Sequence, residues 1–501
     1  MSTIRRQSII SSVIVYIGFA LGIFNTYLFT REGGLTKEQL GVTGLFIAFA
    51  NIMFSVASFA MPSYIHKFFP YYKAHAEKGK NDQLAWALLL PCIGFTMVLF
   101  AGIALKPVVV DRIFNNSPEI LRYYYWTFAF GFGYTIFMVL EAYAWMQGKA
   151  VLSNLLKEVV FRAIITVLIV LITVGLLPDF DRFITIYAFS YLALAVYLVF
   201  YFYSRGELPL SFSVSRVTRR FRKKIITLVS YVWGGSLIFN ISNVFDTIIL
   251  AAVAPNGAGA AGIFTVAQNI SSLMQAPQRA IVSASVGPLS QAWKDKDMGK
   301  IQRIYQSSSI NQLLFATAVF CLIWLNFDDG LRTFNIQGDY AAAKWAFFFI
   351  GIYKIIDMGS GLNSQIIGTS SFWKFEFTTG MILLALMLPL NWQLTRYLGI
   401  LGPAVANLIS FTVYNGIRFG FLWKKFGMQP FNSKTVYTLL LAGVGYTLCY
   451  FIFDSFSGII WIMARSILFI SIFATGMMVL QLSPDMGPVL QSIGKRLRPG
   501  S

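Results

Sequence analysis

Apolar runs of roughly 20 residues, each long enough to cross a bilayer core as a helix, recur along nearly the whole chain between short polar connections. About fourteen can be marked. In order they begin near Ser8, Gly41, Gln83, Glu119, Val159, Ile184, Ile225, Ala261, Ile304, Ala341, Phe375, Gly402, Thr435 and Ile459. None alternates apolar and polar residues as a membrane barrel strand does. A helix satisfies its own backbone in lipid, so the pattern predicts an all-α bundle.

Polar residues inside these runs are ordered. In the eighth run Gln268, Ser271, Ser272, Gln275, Gln278 and Arg279 follow i, i+3 and i, i+4 spacing, which sets them on one helical face. The seventh does the same with Ser236, Asn240, Asn243 and Asp246, and the tenth with Lys354, Asp357, Gly361, Ser364 and Gln365. The second has a milder version in Asn51, Ser55 and Ser58. Such faces turn from lipid, either bonding neighbouring helices or lining a solvated cavity. Pro62 and Pro277 fall late in the second and eighth runs, where each would bend the helix.

The second and eighth runs also share a sequence. Gly44 to Ile52 reads GLFIAFANI, and Gly262 to Ile270, 218 positions later, reads GIFTVAQNI. The preceding runs each carry a Phe-Asn pair, Phe24-Asn25 and Phe239-Asn240. Repeated apolar segments are the trace of transporter folds whose halves face one another across a central site. The expected fold is an all-α integral membrane protein with about 14 transmembrane helices in two pseudo-symmetric six-helix bundles plus two C-terminal helices. Residues 1–204 form the first bundle, 205–224 a basic linker, 225–423 the second bundle, and 424–501 the two extra helices and a tail.

Composition agrees with a bilayer: 56% of residues are hydrophobic and 12% charged, against about 25% charged in soluble domains. A net charge of +19 would suit nucleic acid, but its placement argues for a membrane. Alternate connections, counted from the N-terminus, hold 26 Lys and Arg residues against 6 on the other side, which predicts that both termini are cytoplasmic. The linker RGELPLSFSVSRVTRRFRKK carries seven of the 26. A polybasic segment beside a membrane attracts anionic headgroups and holds topology; a partner-binding role is the alternative. The first run is too long for a secretory signal and lacks its cleavage pattern. Cys92, Cys321 and Cys449 lie in separate apolar runs and read as packing, and His66 and His75 lack the companions of a metal site.

The chain has no Walker A loop, G-x-S-x-G, H-E-x-x-H or dinucleotide-binding glycine motif, which disfavours an ATPase or a soluble-type hydrolase. Charged residues in the runs then separate by depth. Arg162, Arg418, Arg122 and Lys344 lie near run ends and are expected to reach the headgroups, while Arg465 lies a little deeper and Glu141 near a cytoplasmic end. Lys354 and Asp357 fall near the middle of a long run, where an uncompensated charge costs roughly 2.5–3.5 kcal/mol. One turn apart, they can neutralise each other. Arg279 has no acid within a turn, so it needs a partner elsewhere, such as Asp246, or an aqueous cavity.

With these features in view, the chain resembles the multidrug/oligosaccharidyl-lipid/polysaccharide exporter superfamily, and within it the Wzx-type flippases of bacterial O-antigen and capsule assembly. The resemblance covers nearly the whole chain and rests on topology more than on a sharp motif. It implies two bundles in a V around a central cavity. It also implies a substrate, an oligosaccharide on an undecaprenyl diphosphate lipid, turned by alternating access from the inner to the outer leaflet of the cytoplasmic membrane. The partners it implies are that lipid-linked oligosaccharide, membrane lipids, and the polysaccharide polymerase and assembly proteins; it implies no nucleic acid, cofactor, metal or catalytic residue. On this reading Arg279 and Lys354 meet the diphosphate. Gln275, Gln278, Asn240 and Asn243 meet sugar hydroxyls, and Asp246 and Asp357 are ion-coupling groups or charge partners.

Three alternatives stand beside it. Many ion-coupled multidrug antiporters of the same superfamily carry an acid in the first helix, and the run from Ser8 to Phe29 has none. The lipid II flippases have arginine-rich first helices that are not matched here. A membrane enzyme acting on lipid-linked sugars usually displays carboxylates in a sizeable outer loop, and the outer loops here are short.

Overall fold

The computed structural model describes residues 3–75, 81–208 and 210–483. The expected tail, with Lys495, Arg496 and Arg498, and the loop cations Lys78 and Lys80 lie outside them. The first six runs become α1 (Thr3–Thr30), α2 (Lys37–Ala57) followed by α3 (Met61–His75), α4 (Gln83–Val108), the short α5 (Pro118–Arg122) before α6 (Tyr124–Met146), then α7 (Ala150–Asn154), α8 (Phe161–Thr173) and α9 (Phe180–Ser204). The rest are α10 (Arg216–Val253), α11 (Gly257–Ser272), α12 (Ala276–Lys294), α13 (Met298–Thr333), α14 (Ala343–Gly359), α15 (Asn363–Thr369), α16 (Trp373–Leu398), α17 (Leu401–Phe426), α18 (Ser433–Phe453) and α19 (Ile459–Val479). The all-α expectation holds.

Among the described residues, 10 helices are long and apolar enough to cross a membrane, or 11 if the pair bent by 45° at α14 and α15 is one span. Sequence expected about fourteen. The other three runs are helical too, but two are interrupted and one is polar. In the fifth, a wider turn over Leu155–Val160 separates α7 from α8; in the eighth, a tight turn over Leu273–Gln275 separates α11 from α12. The twelfth run, α17, carries Asn407, Ser410, Asn415 and Arg418 as buried residues.

The two prolines are not mid-span kinks. The second run breaks at Phe59 and Ala60, whose φ angles are 45° and 51°, and Pro62 then lies in the first turn of α3. Pro277 likewise stands in the first turn of α12, where its missing N–H is no loss.

By packing, the chain divides into two compact units: residues 1–265 with 395–400, and residues 266–394 with 401–501. In the first unit α6 packs on α9 and α2, and α2 on α10. Its centre is aromatic: the Phe130 ring stacks on Tyr187 at 4.9 Å, and Phe161 meets Tyr191 at 4.3 Å. α2 and the start of α11 cross backbone to backbone. A Cβ on Gly41 would lie 1.8 Å from the Ala258 carbonyl oxygen, and one on Gly262 would lie 2.0 Å from that of Lys37. Each glycine faces the residue four before the other, so the crossing pairs positions 221 apart, three residues from the register of the sequence repeat. Only residues without a side chain permit so close an approach.

In the second unit α14 packs against α13 and α17, and α18 and α19 pack on each other and on α13. Tyr305, Ile366, Ile367 and Leu422 form a buried cluster beside the break between α14 and α15. Gly361, at φ 64°, makes that break possible; a Cβ there would meet Ser309 and the Tyr305 carbonyl at 3.1 Å.

Candidate functional site

The break at residues 360–362 sets the chemistry of the second unit. Lys354 and Asp357 lie in the closing turns of α14, just before the chain bends, near the middle of the bent pair formed with α15. A helix C-terminus carries partial negative charge and favours a cation such as Lys354. Lys354 is 5% exposed, and its Nζ donates to Ser271 Oγ at 3.1 Å. Asp357 accepts from Gln278 Nε2 at 3.2 Å and from Asn415 Nδ2 at 3.0 Å. Although they attract one another across the turn, each is thus bonded to neutral groups rather than joined in a direct ion pair. Asn415 also accepts from Asn363 at 2.8 Å, which ties α17 to the start of α15. Arg279, exposed on α12, lies close enough to Lys354 for the two cations to repel. Gln275 ends the tight turn that launches α12 and is half-buried.

The structure therefore brings together two hydrogen-bonded pairs, Lys354 with Ser271 and Asp357 with Gln278, with Arg279 near Lys354. Asn240, Asn243 and Asp246 belong to α10 in the first unit. There Asn240 is half-buried, Asp246 is 5% exposed, and the exposed Asn243 donates to the Phe239 carbonyl at 2.9 Å. The polar face of α2 is structural: Asn51 accepts from Tyr134 at 3.2 Å, and the Ser55 carbonyl accepts from Trp233 Nε1 at 2.8 Å.

One expected headgroup cation is buried instead. Arg418 is 3% exposed, donates to Glu376 and lies 3.6 Å over the Tyr414 ring. Glu376 also accepts from Ser364 at 2.6 Å. Glu376, Asn363 and Asn415 are polar partners that sequence spacing did not single out; their common signal is a polar residue inside an apolar run. Arg465 is a structural anchor, donating to the Leu325 and Phe456 carbonyls at 3.0 Å each and facing Asp329 at 3.7 Å. Arg162 donates to the Gly18 carbonyl and pairs with Glu158 at 3.0 Å, and Lys157 covers Glu141 at 3.1 Å.

No family model matches the sequence, and no curated protein matches it. Solved structures do. The lipid II flippase MurJ in an inward closed conformation superposes with a TM-score of 0.72 at 13% identity, over 94% of this chain and 98% of that one. A multidrug resistance MATE family transporter of the MOP superfamily, inward-facing, gives 0.63 at 16% identity, over 81% of this chain and 93% of that one. The chain has the fold of the MOP exporter superfamily. A MATE structure in the straight conformation gives 0.51 at 16% identity, covering 84% of this chain and 94% of that one. The resemblance read from topology holds at the level of the fold, and with it a multi-pass membrane protein.

Proposed function

We propose that this MOP-fold chain is a flippase for an undecaprenyl-diphosphate-linked oligosaccharide, moving it across the bacterial cytoplasmic membrane for O-antigen, capsule or exopolysaccharide assembly. The observation that supports this best is Lys354, a buried cation bonded to a neutral hydroxyl, with Arg279 near enough to repel it. A buried cation with a second, exposed cation beside it is stabilised by a shared anion, and a diphosphate has charge for both. Gln275, Gln278, Asn240 and Asn243 are the proposed sugar contacts, and Asp246 and Asp357 the ion-coupling or charge-partner groups. The polymerase and assembly proteins are the proposed partners, and both termini face the cytoplasm.

Deleting the chain from its host should abolish surface glycan and leave lipid-linked oligosaccharide accumulating in the inner leaflet. Normal surface glycan with no accumulation would reject the reading. A multidrug antiporter is the second reading, supported by the MATE likeness and by Asp357, whose amide partners would leave its charge for an organic cation. That reading predicts lost drug tolerance with glycan unchanged.

A further inference from the structure

Most of the cations in residues 205–224, read from sequence as a linker, belong to a helix. α10 runs for 38 residues, about 57 Å, against the roughly 30 Å of hydrocarbon that a spanning helix must cross. Its first turns therefore stand outside the core, at the end where Lys and Arg collect. Arg216, Arg219, Arg220, Arg222, Lys223 and Lys224 are all exposed there. At one residue per 100° they fill an arc of about 200°, leaving Val217, Thr218 and Phe221 on the other side.

That other side is fixed in place. Ser215 caps α10, its hydroxyl accepting from the Thr218 amide at 3.2 Å. Asp82, 0% exposed, accepts from the Ser215 amide at 3.1 Å and from the Thr218 hydroxyl at 2.7 Å. Thr218 also bonds the Tyr72 hydroxyl at 2.6 Å, and the Phe221 ring packs on Tyr71 at 5.0 Å and Phe68 at 5.8 Å. These three aromatic partners belong to α3, which adds exposed Lys67 and Lys73. Within residues 205–224 the one acid is Glu207, which faces Lys149 at 3.9 Å.

We propose that this surface of α3 and α10 is a preorganised site for the headgroups of anionic phospholipids in the adjoining leaflet. From Arg216 to Lys224 the helix rises about 12 Å. The headgroup layer plus a Debye length of about 8 Å covers that distance, so the whole row of cations lies in the field of the membrane surface. What separates this site from a loose basic tether is its fixed register: the cations are turned outward because the opposite side is bonded to Asp82 and α3. The proposal stands independently of what the chain transports.

The test uses the purified full-length protein in neutral detergent, with melting temperature followed as mixed micelles of phosphatidylglycerol are titrated in. Phosphatidylcholine and sodium pyrophosphate form the other arms. Phosphatidylglycerol should raise the melting temperature, phosphatidylcholine should not, and about 0.5 M NaCl should cancel the shift. R219Q/R222Q/K223Q should keep the lipid-free melting temperature and raise the half-saturating phosphatidylglycerol concentration roughly ten-fold or more.

Asp82→Ala decides between a pinned site and a loose one. It removes a negative charge, so a flexible tether would bind at least as tightly, whereas the pinned site predicts weaker binding, with Asp82→Asn between. Thr218→Val, which cuts the same link while keeping the side-chain shape, should also weaken binding and serves if Asp82→Ala does not fold. Equal shifts from both lipids, wild-type affinity in the triple variant, or undiminished binding in Asp82→Ala or Thr218→Val would overturn the proposal. So would pyrophosphate reproducing the shift without lipid, which would mark a site for soluble phosphate.

Discussion

Arg279 and Arg418 are both arginines in apolar runs, and the structure gives them opposite settings. Arg418 is buried against a carboxylate, while Arg279 is exposed beside another cation. For Arg418 the expected effect is on stability: Arg418→Ala leaves Glu376 without its cation and should cost about 3 kcal/mol, whereas Arg418→Met with Glu376→Leu should recover most of it, as thermal unfolding in detergent would show. For Arg279 the expected effect is on transport. Charge-assisted hydrogen bonds to phosphate contribute roughly 1.5–3 kcal/mol, so Arg279→Ala should lower glycan export at least ten-fold at normal protein abundance, and Arg279→Lys should restore part of it. An equal loss of abundance in Arg279→Ala would assign it a structural role. Sequence separated the two by depth, sending Arg418 to the headgroups, but could not see that Arg418 is buried on a carboxylate. The Arg418 partner lies 42 residues away, beyond any search confined to a helical turn.

Helices were legible where they are continuous, because length and hydropathy alone mark a span. Their breaks were not, because what sets a break is backbone geometry and contact rather than composition. The second run shows this. Its proline suggested the bend, yet the turn is made by Phe59 and Ala60 in left-handed conformation, and Pro62 merely opens the next helix. Pro62→Ala should therefore leave stability within about 0.5 kcal/mol of wild type, since the residue sits in a first turn that needs no amide donor. A loss several times larger would return the proline to a structural role. The glycine crossing of α2 and α11 should behave otherwise. Gly41→Ala would drive a Cβ into the Ala258 carbonyl and should cost about 1–3 kcal/mol or prevent folding, as melting temperature and membrane abundance would report. The repeat pointed to this pair of segments and missed its register by three residues, because the match follows Phe and Asn positions while the crossing follows the smallest side chains.

For the whole molecule, the fold follows from the spacing of apolar runs, and the likeness to MurJ over 94% of the chain confirms that reading. Topology rests on the 26 to 6 split of cations. In a background lacking Cys92, Cys321 and Cys449, an impermeant thiol reagent applied to intact cells should label a cysteine at Pro255 and miss one at Ser213. Labelling at Ser213 alone would invert the orientation. The direction and cargo of transport are the central claim, and they are tested most directly by measuring how much lipid-linked oligosaccharide reaches the outer leaflet in cells lacking the chain and supplied with wild type or Arg279→Ala. The account predicts outer-leaflet material with wild type and almost none with the empty host or the variant at equal abundance. Outer-leaflet oligosaccharide appearing at the same rate in the empty host would contradict it.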